Sequence, residues 1–96
     1  MTGTARTSAG LDDRRRRLLY RAWRRGTREM DLIMGRFADA ALGRLTEAEI
    51  AELERLAEVP DPELYAWITG DLPVPDSYDH AVFRRLRDFH ARRPIG

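Results

Sequence analysis

The chain has 96 residues, with 17 basic side chains, 16 acidic side chains and no cysteine, which suits one small domain. The lack of cysteine excludes disulfides, thiolate metal sites and cysteine nucleophiles, and His80 and His90 are too few for most zinc sites. No apolar run approaches the ~20 residues of a membrane span and residues 1–10 lack the apolar stretch of a secretory signal, so we expect a soluble, cytoplasmic monomer.

The small net charge of +1 conceals segments of opposite sign. Residues 1–36 carry ten arginines against four acidic residues, residues 37–79 carry two against eleven, and residues 80–96 carry five against one. This distribution predicts a basic pole and an acidic pole. Arginine-rich ends favour phosphate binding, but the acidic middle would repel a nucleic-acid backbone, so we expect no nucleic acid as partner.

The ends of the chain differ from its middle in composition. Residues 1–10 are rich in Thr, Ser and Gly and carry too little apolar surface to offset the entropy of ordering them, so we expect a disordered tail. A single domain is predicted over residues 11–93, followed by a short tail at residues 94–96.

The first helix is predicted from about Leu11 or Asp12 to Arg24 or Arg25, because the apolar residues keep a helical spacing. The run Arg14-Arg15-Arg16-Arg17 spreads around this helix, so at least two of its members must lie beside the apolar stripe. Such a run is similar to a phosphate-binding patch. No aromatic residues interleave with it, however, which favours an ordinary solvated helix face.

A helix–helix corner is predicted at Arg24-Arg25-Gly26-Thr27-Arg28-Glu29-Met30-Asp31. A glycine just past a helix end usually takes a left-handed conformation, and the threonine after it can cap the next helix. The arginines before the glycine and the carboxylates after it have the signs that helix dipoles favour. Helix capping and helix dipoles are therefore sufficient to explain these charges, and local physics alone does not require a functional role for them.

The second helix, from about Arg28 to Leu42, has the clearest amphipathic pattern and is predicted to be the central core helix, with Gly43 as a second C-terminal glycine. Thr46 and Glu49 predict a capping box at the start of a third helix, from about Glu47 to Glu58. The inward-facing residues of these two helices are predicted to be Met30, Ile33, Met34, Phe37, Ala38, Ala41, Ile50, Leu53, Leu56 and Ala57.

A fourth helix is predicted from about Pro62 to Thr69, with Asp61 as its cap and Gly70 at its end. The prolines of the next segment, residues 71–76, predict an extended link. The fifth helix is predicted from near Ser77 to about Arg92. Four further assignments concern packing: Trp67 on the inner face of the fourth helix, Leu72 and Val74 as anchors of the link, and His90 at the edge of the core.

No segment alternates with period two, so the predicted fold is all-α, a compact bundle of five short helices. The sequence also lacks a phosphate-binding glycine loop and a recognisable pair of catalytic carboxylates. Short helices in a chain of this size leave little volume for the ~300 Å³ of a usual ligand site. These features favour a binding module over an enzyme.

The corner sequence, with Phe37 and the later stretch Asp61-Pro62-Glu63-Leu64-Tyr65-Ala66-Trp67, resembles the succinate dehydrogenase FAD assembly factor family. The hallmark of that family is an RGxxE motif at its first helix–helix corner, and the resemblance covers about residues 12–92. It implies a chaperone that binds the flavoprotein subunit of succinate dehydrogenase, or of fumarate reductase, and promotes covalent attachment of FAD to a histidine there. It also implies no stably bound cofactor, and a place in the mitochondrial matrix if the source is a eukaryote.

The motif carries over to Arg25, Gly26 and Glu29. In this interpretation Arg25 makes a charge-assisted contact with the partner, Gly26 lets backbones approach closely, and Glu29 places a carboxylate near the flavin or supports Arg25. The alternative is an antitoxin-like or nucleic-acid-binding regulatory module that uses the arginines from the first helix to the corner. The full predicted partner-binding set is Arg24, Arg25, Gly26, Arg28, Glu29 and Asp31.

Overall fold

The computed structural model describes residues 11–92, and within that range it contains five α-helices and no β-strand. The prediction of an all-α fold with five short helices is confirmed. The predicted tails at residues 1–10 and 94–96, and residue 93 at the predicted domain end, lie outside the described residues. The helices are α1 (Asp13–Ala22), α2 (Arg28–Ala41), α3 (Glu47–Ala57), α4 (Asp61–Thr69) and α5 (Ala81–Arg92).

The helix α2 packs against both α1 and α5. The helix α3 also contacts both α1 and α5, and α4 packs on α5. All inward-facing residues predicted for α2 and α3 are buried, and no polar or charged residue in the described range is buried as a whole. Burial of these apolar stripes is the main force that holds the bundle together.

Capping residues fix three helix ends as predicted. Thr27 accepts a hydrogen bond from the Met30 N–H at 3.3 Å at the start of α2. Thr46 and Glu49 form the capping box of α3. Gly70 ends α4 with a φ of +88°, in the left-handed region.

The C-terminal end of α2 differs from its prediction. Gly43 does not have a positive φ, since it lies in a 3-10 turn, Leu42–Arg44, that continues the helix. The guanidinium of Arg15 donates to the carbonyls of Leu42 at 3.1 Å and Leu45 at 2.7 Å. Because a side chain satisfies these carbonyls, the turn has no need of a left-handed glycine.

Two further helix boundaries differ from the sequence analysis. The helix α1 ends at Ala22, short of the predicted Arg24 or Arg25, because Trp23 and Arg25 are engaged in the tertiary contacts described below. The helix α5 begins only at Ala81 because a 3-10 turn occupies Asp76–Tyr78.

The structure confirms the predicted packing of some of the four side chains and not of others. Leu72 is 52% exposed, so its prediction as an anchor is wrong, whereas Val74 packs on the core as expected. Trp67 packs against the core as expected but is half-buried, and its ring lies against that of Tyr78. His90 is half-buried at the edge of the core, as predicted.

The oppositely charged segments of the chain meet between helices. Arg14 of α1 bonds to Glu54 at 2.7 Å and to Glu47 at 3.0 Å, both on α3, and Arg21 bonds to Glu58 at 2.9 Å. These ion pairs neutralise part of the basic segment against the acidic segment across the α1–α3 interface. None of the helices in residues 11–92 is long and apolar enough to cross a membrane.

Candidate functional site

The predicted corner between α1 and α2 is built around the side chain of Arg25, which is only 7% exposed. Its guanidinium forms an ion pair with Asp61, the first residue of α4, with Nη2 at 2.7 Å and Nε at 2.8 Å from Oδ1. It also donates to the carbonyls of Ala57, at the end of α3, and Val59, each at 2.5 Å. One side chain thus joins the corner to two other helices, and its positive charge complements the C-terminal dipole of α3.

Asp31 holds the backbone of the corner from the other side. Its Oδ1 accepts hydrogen bonds from the N–H of Arg25 at 2.5 Å and of Gly26 at 3.3 Å. Gly26 has a φ of +111°, which disfavours a residue with a Cβ, and a Cβ built there would have no atom within 4 Å. The predicted positive φ of Gly26 is confirmed, and the glycine leaves an open surface above a fixed backbone.

Trp23 packs against α2 immediately before the corner. A Cβ added to Gly35 would lie under 3.0 Å from three atoms of the Trp23 ring, so the indole lies directly on the glycine. The indole Nε1 is buried and has no hydrogen-bond partner within residues 11–92. This close approach sets the direction in which the chain enters the corner, and the sequence analysis did not anticipate the role of Gly35.

The remaining predicted site residues are exposed. The side chains of Glu29 and Arg28, in the first turn of α2, form no hydrogen bond or ion pair within the described range. Arg24 places its guanidinium 3.8 Å from the ring centroid of Tyr20, one helical turn earlier. The six predicted residues therefore divide into Arg25 and Asp31, which are committed to internal bonds, and Arg24, Gly26, Arg28 and Glu29, which face outward.

Two grooves flank the Arg25–Asp61 ion pair. The first, which we call the arginine groove, measures about 400 Å³ and is lined by Arg21, Arg24, Arg25, Ala57, Pro60 and Asp61. The second, which we call the tyrosine groove, measures about 390 Å³ and is lined by Thr27, Glu29, Met30, Asp61, Pro62 and Tyr65. One groove is basic and the other is apolar with a carboxylate at its rim, and Asp61 of the ion pair lines both.

The sequence analysis missed the part that α4 plays in this site. Asp61 was expected to cap α4, but Pro60 occupies that position and the Asp61 carboxylate bonds to Arg25 and, at 3.4 Å, to the Thr27 hydroxyl. A buried guanidinium needs a charged partner more than a helix start needs a cap. No local pattern in the sequence connects Arg25 with Asp61, which lies 36 positions later.

The described residues provide no group of three or more acidic or histidine side chains that could hold a metal ion. The only free carboxylate on the walls of the two grooves, among residues 11–92, is that of Glu29. This arrangement suits recognition of another macromolecule, because one charge stands on a surface held rigidly by its neighbours.

Comparison with known proteins agrees with this geometry. A family model described as "Flavinator of succinate dehydrogenase" matches residues 16–90. The FAD assembly factor SdhE of Acetobacter pasteurianus is 42% identical over 84 residues, which cover 86% of this chain and 77% of that protein. The mitochondrial succinate dehydrogenase assembly factor 2 of Dictyostelium discoideum is 30% identical over 86 residues, which cover 90% of this chain. That of Danio rerio is 32% identical over 92 residues, which cover 94% of this chain.

The mitochondrial relatives are longer than the matched region, which spans 61% of the Dictyostelium protein and 58% of the Danio protein. The region matched by the family model runs from α1 to α5 and includes the corner, α4 and both grooves. Since the model covers most of the chain and the bacterial relative is similar over most of its own length, the chain belongs to the family of flavinators of succinate dehydrogenase.

Proposed function

We propose that this chain is an assembly factor that binds the flavoprotein subunit of succinate dehydrogenase and promotes the covalent attachment of FAD to that subunit. The main observation behind the proposal is that the Glu29 side chain is exposed and has no partner within the described residues. Its carboxylate lies on a corner whose backbone is fixed by Arg25 and Asp31. The names of the relatives support the same role.

In this mechanism the chain itself carries out no bond-forming step. Covalent attachment is a reaction between the flavin and a histidine of the flavoprotein, so a helper has only to hold the two in reactive geometry. Placing reacting groups in this way lowers the barrier without any catalytic side chain on the helper. The chain then acts as a monomeric chaperone and not as an enzyme.

The FAD stays with the flavoprotein in this proposal. The two grooves, at about 400 Å³ and 390 Å³, are each near the lower end of the size range of small-molecule sites. A dinucleotide exceeds either groove. We propose that the chain holds no cofactor of its own and acts on the FAD of its partner.

Arg25 has an indirect role in this proposal. Its guanidinium already bonds to Asp61, Ala57 and Val59, so it shapes the corner instead of reaching the flavoprotein. Contact with the flavoprotein falls to the outward-facing residues. Among these, Gly26 lets the partner backbone approach and Glu29 presents a carboxylate.

The test compares Glu29→Gln with Asp71→Asn, which neutralises another exposed carboxylate outside both grooves. The purified apo flavoprotein subunit is mixed with FAD and each variant, and covalently bound flavin is measured by gel fluorescence. We expect Glu29→Gln to slow attachment by about tenfold or more, as for loss of one charge-assisted contact, and Asp71→Asn to match wild type.

Thermal unfolding of each variant separates function from folding. The dipole contribution of Glu29 is about 0.3–1 kcal/mol, so its loss lowers Tm by at most about 8 °C in a domain of this size. Normal flavin attachment by Glu29→Gln, or a loss of attachment that follows unfolding, would contradict the role assigned to this carboxylate.

A further inference from the structure

Tyr65 is one of three large hydrophobic side chains that are strongly exposed within the described range, together with Tyr20 and Leu72. It is 41% exposed although it lies on α4, which buries Leu64 and Ile68 in the core. Of the three, only Tyr65 lines either of the two grooves at the corner. Its exposure therefore belongs to a shaped surface and not to an isolated side chain.

The tyrosine groove is preorganised. Met30 is buried in the core, Pro62 is a rigid ring in the first turn of α4, and the ion pair between Arg25 and Asp61 fixes α4 against the corner. A groove whose walls are already ordered loses little entropy when it binds a partner.

The charge around this groove selects the chemistry of its occupant. The carboxylate of Asp61 is offset by Arg25 and also bonds to the Thr27 hydroxyl. Glu29 is left as the one uncompensated charge among the described residues of the groove walls. An apolar groove with one free carboxylate at its rim complements an apolar side chain that has a cation beside it.

We propose that the tyrosine groove receives an apolar side chain from a segment of the flavoprotein subunit that also carries an adjacent Arg or Lys, with Tyr65 as the anchor and Glu29 as the partner of the cation. This inference rests on the proposed function. A volume of about 390 Å³ is large enough to admit even a bulky inserted side chain, and tyrosine is among the residue types that most often dominate binding energy. The docking surface thereby extends from the RGxxE corner onto α4.

The first experiment measures the affinity of purified variants for the purified apo flavoprotein subunit by calorimetry. We expect Tyr65→Ala to weaken binding by about tenfold or more, as for other truncated anchors, and Tyr65→Phe to keep most of the affinity because the ring remains. Leu72→Ala is the matched control, since it removes a more exposed apolar side chain, 52% against 41%, that lines neither groove. Its affinity should match wild type.

The second experiment tests the cation. If an Arg or Lys of the partner lies beside Glu29, then Glu29→Lys should weaken binding by about tenfold more than Glu29→Gln does, because reversal adds repulsion to the lost attraction. Equal effects of the two substitutions would overturn the cationic part of the inference. Melting curves confirm that each variant is folded.

The results of these experiments distinguish failure of this inference from failure of the proposed function. If the wild-type chain binds no flavoprotein, the proposed function and this inference are both overturned. If wild type binds and promotes flavin attachment while Tyr65→Ala keeps full affinity, only the inference is overturned.

Discussion

At the scale of single residues, the approach to the corner depends on Gly35. The missing side chain of Gly35 leaves the space in which the Trp23 ring lies, and that ring immediately precedes Arg24 and Arg25. Gly35 and Trp23 both lie on segments predicted to be helical, where glycine costs about 1 kcal/mol relative to alanine and tryptophan costs less. The close contact explains why a glycine occupies the middle of the most regular helix of the chain.

We expect Gly35→Ala to destabilise the fold by about 1–3 kcal/mol, because the new methyl group overlaps the Trp23 ring, even though alanine is the better helix former. The measurement is urea denaturation of the single variants and of the double variant with Trp23→Leu. Since the smaller side chain makes room for the methyl group, Gly35→Ala should cost less in the Trp23→Leu background, with a coupling energy of about 0.5–3 kcal/mol. Additive effects would show that the contact does not limit stability.

At the scale of elements, the α1–α3 interface combines apolar burial with a charged margin. The Arg14 guanidinium bonds to both oxygens of Glu54, through Nε at 2.9 Å and Nη2 at 2.7 Å. This hydrogen bonding holds the pKa of Glu54 below its ordinary value of 4.5. The pair is about one-third exposed, so its contribution to stability is that of a partly screened ion pair, about 0.2–1 kcal/mol.

The lowered pKa of Glu54 predicts a pH dependence. A carboxyl whose pKa is lower in the folded state stabilises the fold fully above its unfolded pKa of 4.5, and this stability is lost as the pH falls through the folded value. We therefore expect Glu54→Gln to be less stable than wild type at neutral pH by at most about 1 kcal/mol, with the difference shrinking as the pH falls below 4.5. Urea denaturation across this range measures it, with Glu63→Gln, an exposed residue without such a pair, as control. A difference that stays constant with pH would refute the assignment.

At the scale of the whole molecule, internal pairing uses many of the arginines that could bind nucleic acid. Arg14, Arg15, Arg16 and Arg21 of α1 each pair with a carboxylate, and Arg25 is buried in its ion pair. A phosphate backbone would have to displace these partners. This arrangement argues against the nucleic-acid-binding alternative, in which the face from α1 to the corner supplies the contacts.

Capture from a cell extract at ~150 mM salt, where exposed charges more than a Debye length apart are screened, tests the two alternatives. We expect the tagged chain to recover a flavoprotein, because docking through packed side chains persists at this salt concentration. Binding through six or more phosphate contacts would instead weaken by about 10³-fold or more between 50 and 200 mM salt. Recovery of nucleic acid without any flavoprotein would contradict our assignment.

The sequence by itself determined the helices, because the information for them is local. Apolar spacing, the Thr46 and Glu49 capping box and the positive φ of Gly26 and Gly70 each depend on residues within a few positions, and all are confirmed. The pattern at the corner also identified the family. What local spacing could not determine was the partner of each side chain.

Only the tertiary structure decided how the corner is built. Arg25 and Asp61 are 36 positions apart, and their ion pair exists because α3 and α4 return the chain to the corner. The same return places Tyr65 beside Glu29, and the packing of Trp23 on Gly35 directs the chain toward that meeting point. The type of a charged or aromatic residue does not by itself show whether its side chain lies in solvent or makes a tertiary contact. Its role depends on which distant residues the fold brings within reach.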